Sequence, residues 1–391
     1  MKKIFKGLFY SMLTLLALSG CNNESIDEVL SKEPIFYVKS NQDKAISTAT
    51  KALQGMRQTT RNNNKDCFVK EIHPILSNRV VTRASNADTL LYLINYNDGF
   101  AIVGAQNYTD QIFAISDNSQ MSITDTIANP ILANLINAYA NFVSDDILNK
   151  GIQTAQSGTI VNVLEYMPPL IQAKWGQGVH FCAMYTDGGP AGCVPVAVAQ
   201  VCYYHKKPQS FNGYQFDWNL MQNIKMYSDF KNNPEAGKQV SRFFYEIAQK
   251  MGTKNGSTYE SNIVPCFSSM GYDAVYSYLD IHTIKWGILN GREPAIICAT
   301  TDAGRHAWVV DGYRETETKT LRPNGYDYDY QYDYYLHCNW GWDGNADGYY
   351  RYANSMGIFE FDTTSGAAWG GDGTNASFVF TKDFRMIYNI N

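Results

Sequence analysis

The 391-residue sequence is poor in charge and has no excess of basic residues. Only 18% of the residues are charged, and 37 acidic residues outnumber 32 lysines and arginines, giving a formal net charge of −5. Proteins that bind nucleic acid through its phosphates need a basic surface. The balance therefore argues against nucleic-acid binding, and we expect no nucleic-acid partner.

Long apolar stretches are missing after the first twenty residues. No later segment has the roughly 18 consecutive apolar residues that indicate a transmembrane helix. Aromatic residues, in contrast, make up 14% of the chain and include 28 tyrosines, which excludes a disordered protein. We expect a globular, aromatic-rich protein that is soluble after its first residues and attaches to a membrane only through a lipid.

The eight cysteines form no Cys-x-x-Cys pair, the spacing typical of zinc sites and of thioredoxin-like redox sites. We therefore expect neither a metal nor another cofactor. Seven cysteines remain when Cys21, in the targeting segment, is set aside. An odd number leaves at least one thiol unpaired in an exported protein, and that thiol is a candidate for chemistry.

Residues 1–21 have the pattern of a bacterial export signal. Three lysines precede the apolar stretch Gly7–Leu18, which is too short to span a bilayer as a helix. The junction Leu18-Ser19-Gly20-Cys21 resembles a lipobox, whose cysteine is acylated. We expect lipidation at Cys21 and an exported protein that is anchored to a bacterial membrane or cell surface, or released after processing. A plain secretory signal is the alternative.

Residues 22–155, the N-terminal module, have the pattern of a small mixed domain. Two apolar runs at 90–96 and 100–103 are joined by Asn97-Asp98-Gly99, a strong hairpin signal. A linker rich in Gly, Ser, Thr and Gln is expected at 150–160. The other expected elements are a short strand at 35–38, a helix at 40–56, a strand at 112–116 and an amphipathic helix that starts at Pro130.

The C-terminal module, 156–391, contains a candidate nucleophile. Small and apolar residues over 192–205 predict a buried helix, with Pro195 tolerated in its first turn. Cys193 begins this helix, so the helix dipole and free N–H groups should lower its thiol pKa. Its own N–H would face a forming oxyanion. Three other cysteines are interpreted as small core residues: Cys202, Cys266 and Cys298.

His306 is the candidate base among six histidines. It lies at the start of the apolar strand Gly304–Tyr313, where a rigid sheet would hold an imidazole open to a cleft. His180 and His337 remain competitors at this stage.

A second strand supplies a candidate positioning group. Tyrosines at every second position over 326–334 predict a strand with one aromatic face, paired with the His306 strand through a turn at Glu315–Gly325. Asn339 would then lie at a strand end and orient the imidazole, while Trp340 and Trp342 shield that contact from water. Ordinary core packing is the alternative for the two tryptophans.

Four motifs in this order resemble the streptopain family of papain-like cysteine peptidases, of the C10 type. They are Gln177, Gly192-Cys193-Val194 with Ala199-Gln200, Gly304-x-His306-Ala307-x-Val-Val-Asp311-Gly312 and Asn339-Trp340-Gly341-Trp342. The resemblance covers about 165–385, and 22–155 looks like the inhibitory propeptide of that family. Pro195 and Arg305 depart from the usual pattern, but neither removes a reactive group.

The resemblance implies an α+β fold: a papain-like, two-subdomain peptidase whose Cys193 helix faces an antiparallel sheet carrying His306, preceded by a small α+β propeptide. It implies that Gln177 and the Cys193 N–H form the oxyanion hole and that Asn339 and Trp340 position His306. It further implies a cysteine endopeptidase that is made as a zymogen, inhibited by its own propeptide, and acts on proteins or peptides through a thiolate-imidazolium pair. A catalytically silent papain-like binding lipoprotein and a glycan-binding surface protein are the alternatives.

Overall fold

The computed structural model describes ten stretches of the chain, which all belong to one compact unit spanning Lys39–Asn391. They are residues 41–59, 66–76, 89–105, 108, 111–123, 130–150, 159–301, 304–322, 324–352 and 384–391. No helix within these stretches is long and apolar enough to cross a bilayer. Cys21, the predicted strand at 35–38 and the predicted boundary between 155 and 156 lie outside the described residues.

Helices and strands alternate irregularly along the described chain. The helices are α1 (Asn41–Thr59), α2 (Pro130–Lys150), α3 (Cys193–His205), α4 (Trp218–Met221), α5 (Pro234–Met251), α6 (Ile263–Ser269) and α7 (Ile281–Trp286), with short 3-10 segments at Tyr227–Lys231 and Glu260–Asn262 and a π segment at Gly287–Gly291. The strands are β1 (Val69–Leu76), β2 (Thr89–Tyr96), β3 (Phe100–Gly104), β4 (Ile112–Ser116), β5 (Thr159–Met167), β6 (Ser210–Phe211), β7 (Tyr214–Gln215), β8 (Val275–Tyr278), β9 (Ala295–Thr301), β10 (Gly304–Leu321), β11 (Tyr328–Asn339), β12 (Gly348–Tyr352) and β13 (Arg385–Tyr388).

The expected elements of the N-terminal module that fall on described residues are confirmed. Strands β2 and β3 form the predicted hairpin, in which the Tyr96 N–H donates to the Gly99 carbonyl at 2.7 Å. Helix α2 begins at Pro130, as the first-turn proline indicates. Strand β1 was not predicted, because its charged and half-exposed residues hide the alternation. Among the described strands it pairs only with β2, and an edge strand tolerates Pro74.

One antiparallel sheet of eleven strands runs through both modules. Its order is β1-β2-β3-β4-β12-β11-β10-β9-β13-β8, and β5 pairs with the second half of β10. The modules join where β4 pairs with β12, through Ile115 opposite Tyr349 and Ala114 opposite Tyr350. The N-terminal module therefore extends the sheet that carries His306.

The hairpin of β10 and β11 is longer than predicted. The turn expected at Glu315–Gly325 is wrong over its first part, because pairing continues to Leu321 opposite Tyr328. Threonines at alternate positions of this part of β10 favour the extended chain. Strand β5 begins at Thr159 and pairs with β10. The last two residues of the expected linker therefore belong to the sheet.

The two faces of the sheet are covered by different helices. Ala307 and Val309 of β10 pack in one core with α3, whereas Trp308 and Val310 pack in another core with α2. This alternation follows from the two-residue period of a strand. The helix that begins at Cys193 thus faces an antiparallel sheet, and the α+β prediction is confirmed.

Candidate active site

The predicted helix start is confirmed, since α3 begins at Cys193. Gly192 precedes it with φ 87°, and a Cβ there would lie 2.4 Å from the Gly256 carbonyl oxygen. Only glycine fits both the positive φ and this close approach. The N–H groups of the first turn have no side-chain cap. Cys193 is half-buried and not in a disulfide.

The Cys193 thiol lies against the backbone of β10. Burial raises the thiol pKa, although the nearby Ala307 and Val194 N–H groups partly offset that rise. The expected lowering of the pKa is therefore wrong for this structure, because desolvation outweighs the helix start when no charged imidazole is beside the sulfur. The thiol is protonated at neutral pH.

His306 is turned away from the thiol. Its Nε2 lies 3.0 Å from the Trp340 carbonyl oxygen, and a carbonyl can only accept, so Nε2 carries the hydrogen. The imidazole is 8% exposed and stacks on Trp342 with a ring separation of 4.7 Å. Burial lowers the His306 pKa to about 4, only partly offset by the Trp340 hydrogen bond. The imidazole is thus neutral at neutral pH.

The strand alternation explains why thiol and imidazole are apart. Ala307 lies on the α3 face of β10, so the preceding side chain, His306, points to the opposite face. There it meets Trp308, Trp340 and Trp342, the tryptophan cluster. The sheet brings the His306 backbone to Cys193, but the side chain belongs to the other core.

Asn339 lies at the predicted strand end but bonds to other groups. Its Nδ2 donates to the Ala173 carbonyl at 2.9 Å, and its Oδ1 accepts the Gly341 N–H at 3.2 Å. Both bonds stabilise the loop that contains Trp340. In this structure Asn339 therefore shapes the loop around His306 without contacting the imidazole.

The Gln177 segment packs against the start of α3. The Gln177 carbonyl accepts the Ala191 N–H at 3.1 Å, and the Trp175 N–H donates to Gln200 Oε1 at 3.4 Å. The segment is therefore fixed on both sides of Gly176. The Gln177 side chain is half-buried, and its place in the oxyanion hole stays a prediction.

Sequence reasoning missed Asp347, which holds the Trp340 loop. Its Oδ1 accepts the Trp340 N–H at 2.9 Å. Burial raises the Asp347 pKa to about 6, against the lowering effect of His337 and the Trp340 N–H. The residue follows a turn rich in Gly, Asn and Asp, which gives no signal that it is buried.

The competing histidines have structural partners. His337 Nδ1 lies 2.6 Å from Asp311 Oδ1 inside the protein, and the other oxygen of Asp311 accepts the Ile171 N–H. His180 stacks on Tyr227, with ring centroids 4.4 Å apart. Both histidines thus serve packing or internal hydrogen bonding.

A loop of the N-terminal module, 117–121, docks on the loop 340–347. Ser119 Oγ donates to the Gly344 carbonyl at 2.5 Å, and the Ala346 N–H donates to the Gln120 carbonyl at 2.9 Å. Lys174 Nζ donates to the Asn118 carbonyl at 2.6 Å. The first module thus binds the segment whose Trp340 carbonyl holds His306.

Two family models and a solved structure match parts of the chain. The Spi protease inhibitor family model matches residues 32–143, and the Peptidase C10 family model matches residues 175–350. Among solved structures, a fragment of prointerpain A from Prevotella intermedia, studied as a mutant, is 17% identical, with a TM-score of 0.49; the match covers 81% of this chain and 97% of that chain. No curated protein matches the chain.

The two family models occur in the order that the sequence motifs predict, and the resemblance to the streptopain type is confirmed. The chain therefore carries the peptidase domain of a C10-type cysteine peptidase behind an inhibitor-type propeptide domain, the organisation of a peptidase zymogen.

Proposed function

We propose that the chain is a cysteine endopeptidase with Cys193 as nucleophile and His306 as general base. The observation that carries this assignment is the position of the Cys193 thiol beside the Ala307 N–H of β10, in the core cluster that the two residues share. It brings the backbone of His306 beside the sulfur, so a local rearrangement at the start of β10 that turns the imidazole to the thiol side would pair the two groups. The order of the motifs supports the same pair.

In the active form, His306 takes the proton of the Cys193 thiol, and the thiolate attacks the carbonyl carbon of a peptide bond. The oxygen of that carbonyl becomes an oxyanion, stabilised by the Cys193 N–H and the Gln177 side chain. The C–N bond then breaks, and the imidazolium gives its proton to the leaving amine. Water hydrolyses the remaining thioester and regenerates the thiol.

Asn339 and Trp340 act as positioning residues in this proposal. The loop they share already surrounds the imidazole of His306 in the zymogen. Release of Nε2 from the Trp340 carbonyl would allow the same loop to support His306 on the thiol side of the sheet. Asn339 would then orient the imidazole.

Latency follows from the charge states of the pair. A protonated Cys193 thiol is a weak nucleophile, and a neutral His306 in the tryptophan cluster cannot accept its proton at a distance. The contacts of Ser119 and Gln120 with the 340–347 loop support the propeptide, residues 22–155, as the intramolecular inhibitor. Its removal would leave a peptidase of residues 156–391 that acts on proteins or peptides.

Export and anchoring form a separate part of the proposal. The lysines, the apolar stretch and the lipobox-like junction of residues 1–21 support a lipoprotein signal with acylation of Cys21. The enzyme would then lie on a bacterial membrane or cell surface, or be released from it when the propeptide is cut off.

Labelling with a thiol-directed peptide affinity probe tests the catalytic assignment. We expect the chain without its propeptide to be labelled at Cys193 and to hydrolyse casein, and Cys193→Ala to lose both properties. Cys182→Ala is the matched control, because Cys182 is also half-buried and not in a disulfide. Labelling elsewhere, or a processed chain with neither property, would support the silent binding protein.

A further inference from the structure

An ion pair lies directly before His306. Arg305 Nη2 is 2.5 Å from Glu260 Oε2, and the second oxygen, Oε1, accepts the Tyr276 hydroxyl at 3.0 Å. The two partners differ in exposure: 14% of the Glu260 side chain is exposed, against 55% of the Arg305 side chain. The carboxylate is enclosed by its donors, whereas more than half of the Arg305 side chain is exposed.

The pair lies on the same face of the sheet as the nucleophile. Residues 305 and 307 of β10 point to the same side, and Ala307 belongs to the core cluster against which Cys193 packs. Two residues of a strand span about 7 Å, so the backbone of Arg305 lies about that far along β10 from the backbone of Ala307.

Cys298 is a neighbour of both the ion pair and the nucleophile. It lies opposite Ala307 on β9 and is buried. Burial raises its thiol pKa, Glu260 and Cys193 raise it further, and Arg305 lowers it. The ion pair and the nucleophile thus act on one buried sulfur and share one neighbourhood.

The segment that carries Glu260 also borders the helix start. The Gly256 carbonyl oxygen packs against Gly192, immediately before Cys193. Tyr259, next to Glu260, is 77% exposed. An exposed aromatic ring and an exposed arginine side chain therefore lie on the segment and the strand that border the helix start.

We propose that Arg305 is a specificity-determining residue that selects peptide substrates with an acidic side chain near the scissile bond, with Glu260 holding the guanidinium in place. The proposal rests on the assignment of Cys193 as nucleophile. A carboxylate of the substrate would share the guanidinium with Glu260, since arginine offers five N–H donors in a planar fork. Glu260 is the weaker candidate for binding a basic side chain, because both its oxygens already accept hydrogen bonds.

The experiment compares sets of three peptides that differ at one position only, which holds Glu, Gln or Lys. In successive sets this position moves through the three residues on either side of the cleaved bond. The enzyme is the full chain activated by removal of its propeptide. At one position we expect kcat/KM for the Glu peptide to exceed that for the Gln peptide by about tenfold. The difference should lie in KM, and it should become smaller as the salt concentration rises.

Four variants connect this preference to the ion pair. Arg305→Ala should reduce the ratio of Glu to Gln to about one, and Arg305→Lys should restore part of it because the charge returns. Glu260→Gln should raise the ratio, since the substrate no longer competes with a carboxylate. Arg322→Ala is the matched control, an exposed arginine paired with Asp329 at the far end of β10, and should change nothing.

Two outcomes in the variants would overturn the proposal. One is an unchanged ratio in Arg305→Ala, and the other is a preference for Lys that Glu260→Gln removes. An activated wild-type chain that cleaves all three peptides equally well at every position contradicts the specificity proposal alone. An activated chain that cleaves no peptide contradicts the assignment of the nucleophile as well.

Discussion

His306 Nε2 donates to the Trp340 carbonyl oxygen at 3.0 Å, and the N–H of the same Trp340 donates to Asp347 at 2.9 Å. The carbonyl that retains the histidine is thus fixed by a buried carboxylate. Residues 344 and 346 of the same loop bind Ser119 and Gln120 of the propeptide. A contact made by the propeptide therefore reaches His306 through one short loop.

Replacement of the nucleophile should separate activity from folding. We expect Cys193→Ala to abolish peptide hydrolysis while the free energy of unfolding changes by no more than about 1 kcal/mol, because a helix start tolerates alanine. Denaturant unfolding and a fluorogenic peptide assay measure the two effects. Turnover by the purified variant would contradict the assignment.

Loss of the base should be nearly as severe. We expect kcat/KM of activated His306→Ala to match that of Cys193→Ala within about tenfold, since nucleophile and base act as a unit and their losses do not add. His180→Ala is the comparison, because that ring stacks on Tyr227 and serves packing. An essential His180 or His337 beside a dispensable His306 would show that the base is misassigned.

Cleavage before β5 should release activity. We expect the chain from Asn22 onward to be nearly inactive, and proteolysis between Lys150 and Val163 to activate it, because linkers rich in Gly and Ser are preferred cleavage sites. Within that range, the pairing of Thr159–Val163 with β10 favours cuts before Thr159. The test treats full-length Cys193→Ala with a trace of active enzyme and sequences the new N-terminus. Full activity of the uncut wild type would mean that the propeptide does not inhibit.

Weakening the loop contact should reduce latency. Ser119→Ala removes the donor to the buried Gly344 carbonyl, and an unsatisfied buried acceptor costs about 1–3 kcal/mol. We expect the uncut variant to show measurably higher residual hydrolysis than the uncut wild type, and equal activity after processing. Gln120→Ala is the control, because Gln120 contacts the loop through its backbone carbonyl. Equal residual activity of Ser119→Ala and wild type would argue against transmission through this loop.

Acid should destabilise the zymogen through His306. Burial lowers its pKa from 6.5 to about 4. Between pH 4 and pH 6.5 the unfolded chain therefore binds a proton at His306, and the folded chain does not. The stability that depends on neutral His306 is therefore complete above pH 6.5 and is lost as the pH falls towards 4. Asp347, with its pKa raised to about 6, has the opposite sign and loses stability as the pH rises through that range.

Urea unfolding of Cys193→Ala with and without His306→Gln isolates the histidine contribution. The difference in unfolding free energy between the two chains should change with pH between 7.5 and 4.5, by roughly 3 kcal/mol or less, whereas Asp347 contributes to both chains. A difference that stays constant over this range would contradict a buried neutral imidazole.

The sequence by itself determined the local elements and the residue types of the site. Gly192 and Pro195 mark the start of the Cys193 helix, Asn97-Asp98-Gly99 forms the first hairpin, and Pro130 begins its helix, because these signals act within a few residues. The order of the motifs also determined the family.

The tertiary structure alone decided the state of the site. The pairing of β4 with β12, the burial of Asp347 and the contact of Ser119 with Gly344 join residues far apart in the chain, and no local pattern marks such partners. His306 was predicted beside Cys193 with a charged imidazole, and the fold instead buries it, neutral, on the opposite face of β10. The free energy of desolvation decides that the imidazole is neutral. It depends on what surrounds the side chain in the fold and not on its neighbours in sequence.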